Sequence, residues 1–167
     1  MAEMSVNALK NNLTNPARDY LWEVIFASPL GGDTNTLLLR ARSSIIPGRS
    51  VGNIHIPFKQ TGGVEYPGKL TFSHNWTCTF VEGEDAKMWK AFYDWAQKII
   101  NTETGIGNFS IKTDIYLNLL NTDGSSRMKI KIVGAFIKEA ADITFDYVSD
   151  KEINIATTWS YDYWVQD

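Results

Sequence analysis

The sequence has one cysteine, Cys78, so an internal disulfide is excluded and the fold must stand on packing alone. Such sparing cysteine use fits synthesis in a reducing cytosol. No stretch approaches the ~18 consecutive apolar residues of a spanning helix, and no span is expected. The opening MAEMSVNALKNN lacks a basic segment followed by an apolar core, so no secretory signal is expected either. Positive charge is not in surplus: 16 Lys and Arg stand against 19 Asp and Glu, for a net −3. Proteins that hold nucleic acid by neutralising phosphates carry a basic excess, so charge-driven binding is disfavoured.

Aromatic residues, by contrast, are plentiful. Six Trp, seven Tyr and eight Phe make up 13% of the chain, a composition suited to β structure and extensive interfaces. The 167 residues suffice for one domain with its own core, and 44% are hydrophobic. Residues 1–19 are polar and asparagine-rich, and read as a flexible N-terminal arm ahead of a single domain over 20–167.

Strand signals begin with YLWEVIF (20–26) and are broken by Pro29 to Asp33. TLLLRAR (36–42) and the alternating segment Val51–Phe58 predict two more strands, the latter confined to an edge by Pro57. KQTGGVEYPGK reads as a hairpin tip, with Gly62 and Gly63 able to take positive φ. The longest alternation is KLTFSHNWTCTFV (69–81). One face carries Leu70, Phe72, His74, Trp76, Cys78 and Phe80, and the other Thr71, Ser73, Asn75, Thr77 and Thr79. That pattern predicts one strand with a buried and a wet face.

A helix follows, with Glu82, Glu84 and Asp85 at its electropositive start and an apolar stripe of Met88, Trp89, Phe92, Trp95, Ala96, Ile99 and Ile100. Trp89, Phe92 and Ile99 are expected to pack on the sheet. IKTDIYLNLL (111–120) fits a strand or a short helix, Asp123-Gly124 marks a hairpin turn, and 127–137 alternates Met128, Ile130 and Ile132 against Arg127, Lys129 and Lys131. The final strand, 152–164, sets Ile153, Ile155, Thr157, Trp159, Tyr161 and Tyr163 against Asn154, Ala156, Thr158, Ser160 and Asp162. The sum is a mainly β protein: a two-sheet β-sandwich or open barrel with one packed α-helix.

Catalytic constellations are missing. His74 and Cys78 on one strand face would stand ~13 Å apart, too far to share a zinc ion. Gly105-Ile106-Gly107 lacks the third glycine and the strand-to-helix setting of a dinucleotide site. No nucleophile elbow, P-loop or H-E-x-x-H occurs. Neither an enzyme nor a cofactor or metal is expected.

The order of motifs, however, is distinctive. Ile46-Pro47-Gly48 precedes an edge strand, and Tyr66-Pro67-Gly68 precedes the W-T-x-T-F strand. The helix carries F-x-x-W, and the chain closes on Asp162-Tyr163-Trp164. Over residues 20–165 this order resembles the tail tube proteins of contractile-tailed bacteriophages and related injection-system tubes. The resemblance implies a subunit whose strands contribute to an inter-subunit barrel in sixfold rings. These rings stack into a hollow tube inside a contractile sheath, and double-stranded DNA passes through the lumen at ejection. The implied partners are further copies of the chain, the sheath, baseplate and tail-terminator proteins, and the tape measure protein and DNA in the lumen. The implied location is the virion tail, after synthesis in the bacterial host cytoplasm.

Two surfaces are candidates within that reading. The hairpin tip Phe58, Lys59, Gln60, Thr61, Gly62, Gly63, Val64, Glu65 and Tyr66 offers exposed apolar residues to a neighbouring subunit. The polar faces carrying Thr71, Ser73, Asn75, Thr77 and Thr79, and Asn154, Thr158, Ser160 and Asp162, are candidates for the lumen, with the basic strip Arg127–Lys131 turned away from it. Rival readings are a baseplate or tube-initiator ring, an extracellular contractile injection-system tube, and a small-ligand-binding β-barrel, which would need an apolar interior.

Overall fold

A computed structural model describes residues 6, 7, 10, 17–27, 39–60, 62–148 and 150–167. The arm expected over 1–19 therefore lies largely outside the described residues, as do Pro29 to Asp33, residues 36–38 and Thr61. Among the described residues, nine strands and one full helix follow in order: β1 (Trp22–Ala27), β2 (Ala41–Ser44), β3 (Arg49–Pro57), β4 (Gly63–Phe72), β5 (Asn75–Val81), α1 (Lys87–Ile99), β6 (Thr113–Leu120), β7 (Ser126–Ala140), β8 (Asn154–Ser160) and β9 (Tyr163–Gln166). Leu39 and Arg40, expected in a strand over 36–42, are helical.

All strand pairs are antiparallel. Seven strands form one sheet folded into two layers, and the 15-residue β7 belongs to both. Its first part pairs with β6 and β9, and residues 136–140 pair with β8. Between these parts Gly134 takes φ +67, where a Cβ would collide with the Asp162 carboxylate. Glycine is thus required where the strand changes layer. The path ends at β1 on one side and β2 on the other, so the barrel is open.

Alternation explains which residues fill the space between the layers. Val24, Phe26, Ile115, Leu117, Ile130 and Ile132 meet Trp76, Cys78, Phe80, Ile155 and Trp159, all buried. Trp159 is the hub: its ring lies 5.2 Å from Phe26, 6.3 Å from Trp76 and 5.0 Å from Trp95. Its indole N–H donates to Thr157 Oγ1 at 2.9 Å, and Thr157 in turn donates to the Cys78 carbonyl at 2.8 Å. The Trp159 indole N–H and the Thr157 hydroxyl are therefore partnered, whereas the buried Trp95 indole N–H in the same cluster has no hydrogen-bond partner.

The helix presents Met88, Phe92 and Trp95 to this core, with Ile99 partly buried. The Phe92 ring lies tilted 5.1 Å from that of Phe80, and burial of such a ring contributes about 1.5–3 kcal/mol. Trp89 departs from expectation. It is exposed, as are Ala96 and Ile100, because the stripe runs at i, i+4, i+7 and i+11 from Met88 and leaves these one position off the face. Trp89 instead stacks on Tyr93, with ring centroids 5.2 Å apart. At the helix start, the backbone N–H groups of Met88 and Trp89 donate to the Glu82 carboxylate at 3.2 and 2.6 Å. Orphan helix donors are thus satisfied by a residue outside the helix.

Two long predicted strands are each divided. The segment 69–81 breaks at Ser73-His74, where His74 adopts φ +54, so Leu70 and His74 are exposed while Trp76, Cys78 and Phe80 are buried. The segment 152–164 breaks at Tyr161-Asp162, sending β8 to one layer and β9 to the other. The ambiguous 111–120 segment is strand β6, joined to β7 through a turn with Gly124 at φ +81.

Candidate assembly surfaces

Among the described residues, strands β3 and β4 pair only with each other and form a separate arm. Every residue of β3 is exposed. Register places Ile54 opposite Tyr66 and Ile56 opposite Val64, so four apolar side chains share one face. Each of them is more than half exposed. The other face carries His55 opposite Glu65, with His55 Nδ1 2.6 Å from Glu65 Oε1 and Asn53 donating to Glu65 Oε2 at 2.9 Å. Gly63 lies under the His55 ring, where a Cβ would meet His55 Cε1 at 2.5 Å. Phe58 (62% exposed), Lys59, Gln60 and Gly62 form the turn, with Lys59 at φ +47 and Gly62 at φ +103. Two strands with no core beneath them among the described residues are marginal in water, and an exposed apolar face of this kind is a candidate interaction surface.

The polar faces of β5 and β8 form one surface. Asn75 pairs with Ser160, Thr77 with Thr158 and Thr79 with Ala156, and Asn154 lies opposite Val81. Asn75, Thr77, Asn154 and Ala156 are exposed, while Thr79, Thr158 and Ser160 are half-buried. Three other lumen candidates lie elsewhere. Thr71 is on the arm, Ser73 is in the break before β5 and within 3.0 Å of the Tyr161 hydroxyl, and Asp162 is at the β8–β9 turn. There Asp162 accepts two hydrogen bonds from Lys112, at 2.8 and 2.9 Å.

The basic strip on β7 is largely neutralised. Lys131 pairs with Asp114 at 2.8 Å and Lys129 with Asp167 at 3.4 Å, and both ammonium groups lie over the Tyr116 ring. The Lys131 bond holds the Asp114 carboxyl below its ordinary range. Only Arg127 of the three is exposed. A clamp not anticipated from sequence joins the chain entering β2 to the helix start. The Arg40 guanidinium donates to both Asp85 oxygens at 3.0 Å and lies 3.4 Å from Glu82. These bonds hold the Asp85 carboxyl far below the usual carboxylate range. The spacing of 45 residues gave no local signal for the pair.

Burial pushes the Cys78 thiol up to about 12, so it is neither nucleophile nor ligand at neutral pH. His74 Nδ1 lies 2.9 Å from the Tyr161 carbonyl. Among the described residues, no three His, Cys, Asp or Glu side chains are grouped to hold a metal, and no helix is long and apolar enough to cross a membrane. An apolar groove of about 200 Å³ opens at the seam between β1 and the segment after β2, lined by Trp22, Ile45, Ile46 and Leu117. Larger clefts of about 480 and 490 Å³ lie beside residues 41–44 and along residues 142–154, and both are lined mainly by polar and charged side chains, not by the apolar walls of a typical small-molecule site.

Solved structures similar to this chain come from extracellular contractile injection systems and a tail tube. It is similar to a chain of the PVC sheath-tube complex, an extracellular contractile injection system, at 18% identity and a TM-score of 0.68, covering 98% of this chain and 97% of that one. The PVC sheath/tube terminator gives 19% identity and a TM-score of 0.70 over 93% and 99%. The SPP1 tail tube gives 12% identity and a TM-score of 0.53 over 91% and 79%. Identities this low carry the fold alone. No curated protein matches the chain by sequence. A family model described as phage tail tube protein matches residues 3–167, nearly the whole length, and the chain therefore belongs to the phage tail tube protein family.

Proposed function

We propose that this chain is the repeating subunit of a tail tube, forming hexameric rings that stack into a hollow conduit for double-stranded DNA inside a contractile sheath. The observation that carries the reading is the β3–β4 arm, a two-stranded element with an apolar face and no core beneath it. A monomer has no use for such an arm, whereas a subunit that docks it on a neighbour buries it. Residues 58–66 are its tip and are assigned to the contact with another copy. The hydroxyl and amide surface of β5 and β8 suits the lumen wall: the paired positions carry no cation, so a polyanion slides past without being held. Thr71, Ser73 and Asp162 stand apart from that surface.

Within this reading the partners are the sheath outside, baseplate and terminator proteins at the two ends, and tape measure protein and DNA inside. Its place is the virion tail, after synthesis in the host cytoplasm. A second reading, a terminator or initiator that forms a single ring, has support from the likeness to the PVC sheath/tube terminator. Electron microscopy of the purified full chain separates them. Open tubes with six subunits per ring in end-on views are expected; isolated rings favour the second reading, and a monomer at every concentration overturns both.

A further inference from the structure

The arm and the segment between β7 and β8 leave opposite ends of one layer. Asn75, where the chain returns from the arm, lies opposite Ser160, whereas Val81 at the far end of β5 lies opposite Asn154, where the β7–β8 segment rejoins the sheet. The two ends stand about 20 Å apart along the strands. Their surfaces are complementary. The segment 141–153 holds four carboxylates, of which Glu152 already pairs with Arg42, against the single cation Lys151, whereas the arm holds Arg49, Lys59 and Lys69 against the single carboxylate Glu65, already bonded to His55 and Asn53. Among the described residues, none of Lys59, Lys69, Asp142 and Asp146 forms an ion pair within the chain. Both surfaces are also apolar. Phe145, Tyr147 and Val148 are 80%, 109% and 93% exposed, to set against the arm face of Ile54, Ile56, Val64 and Tyr66.

We propose that residues 141–148 of one copy are the seat for the β3–β4 arm of the next copy, with arm lysines beside Asp142 and Asp146 and the arm's apolar face on Phe145 and Tyr147. This rests on the reading of the arm as a docking element and names what it docks on. A contact between different surfaces at opposite ends of a subunit is head-to-tail, and when it runs along the tube axis it extends a stack instead of closing a ring. Opposite charge at the rim fixes partner and register, while the apolar face contributes most of the burial.

Reciprocal charge reversal tests it in the full chain. Lys59→Glu with Lys69→Glu is expected to abolish sedimentable tubes, as is Asp142→Lys with Asp146→Lys, each with an unchanged monomer melting temperature. All four together are expected to restore tubes. Tube formation by either pair alone, or a fourfold variant as defective as either pair, overturns the seat. The assignment has a second, independent check in Tyr147→Cys, where the buried Cys78 leaves one reactive thiol. A bulky maleimide on that thiol is expected to block assembly, and normal tubes from the labelled protein overturn the seat. If deletion of Gln60–Val64 abolishes tubes while the reversals fail to rescue, the arm docks elsewhere; if the deletion leaves tubes intact, arm docking and seat fall together.

Discussion

Arg40 and Asp85 show how much one pair of residues sets the local structure. The guanidinium ties the chain entering β2 to the loop that starts the helix, and Glu82 in the same cluster accepts from the first helical N–H groups. The Arg40 bonds lower the Asp85 pKa in the folded state, so the ionised carboxylate favours folding above the unfolded value of about 3.9. That contribution is lost as pH falls toward the depressed folded value. Asp85→Asn is therefore expected to lower the melting temperature at pH 7, with the difference from the parent chain shrinking progressively below about pH 4. Thermal melts across that range check it; a gap that does not change with pH would mean that the charge contributes nothing. At this scale the sequence revealed the core better than its polar links. Periodicity identified Trp76, Cys78, Phe80, Phe92 and Trp159 as buried, because side-chain direction follows backbone repeat. It misplaced Trp89 by one position on the helix. It left Arg127–Lys131 as a bare basic strip, because Asp114 and the Tyr116 ring reach it from β6 and Asp167 from just past β9.

Among elements, the divided strands carry the same lesson. His74 and the Tyr161-Asp162 turn interrupt the ladder without upsetting the alternation around them, so a count of apolar and polar residues passes straight through both breaks. The type of most elements was legible, but 111–120 fitted strand and helix alike, and the point at which a strand changes partner depends on long-range pairing. The joint polar surface of β5 and β8 follows from their register, which sets Thr77 beside Thr158. If that surface lines the lumen, a cysteine at Thr77 is protected from a bulky maleimide in a bare, end-capped tube and reacts after disassembly. Labelling of the intact capped tube from outside would place the surface on the exterior.

For the whole molecule, the division is between a core that needs no partner and an arm proposed to need one. The two layers and the helix enclose the aromatic cluster around Trp159, whereas β3 and β4 add apolar surface that nothing in the described chain covers. The arm was visible in the sequence as a Gly-rich hairpin with apolar strands. Its detachment from the sheet was not, because alternation looks alike whether the inward face meets a core or another subunit. The central claim is that a self-sufficient fold carries an arm whose only energetic purpose is assembly. Deletion of Gln60–Val64 tests it most directly, with melting temperature and sedimentation measured on the same sample. The account predicts a monomer that melts like the full-length chain and forms no tubes; tubes of normal length from the deletion would contradict it.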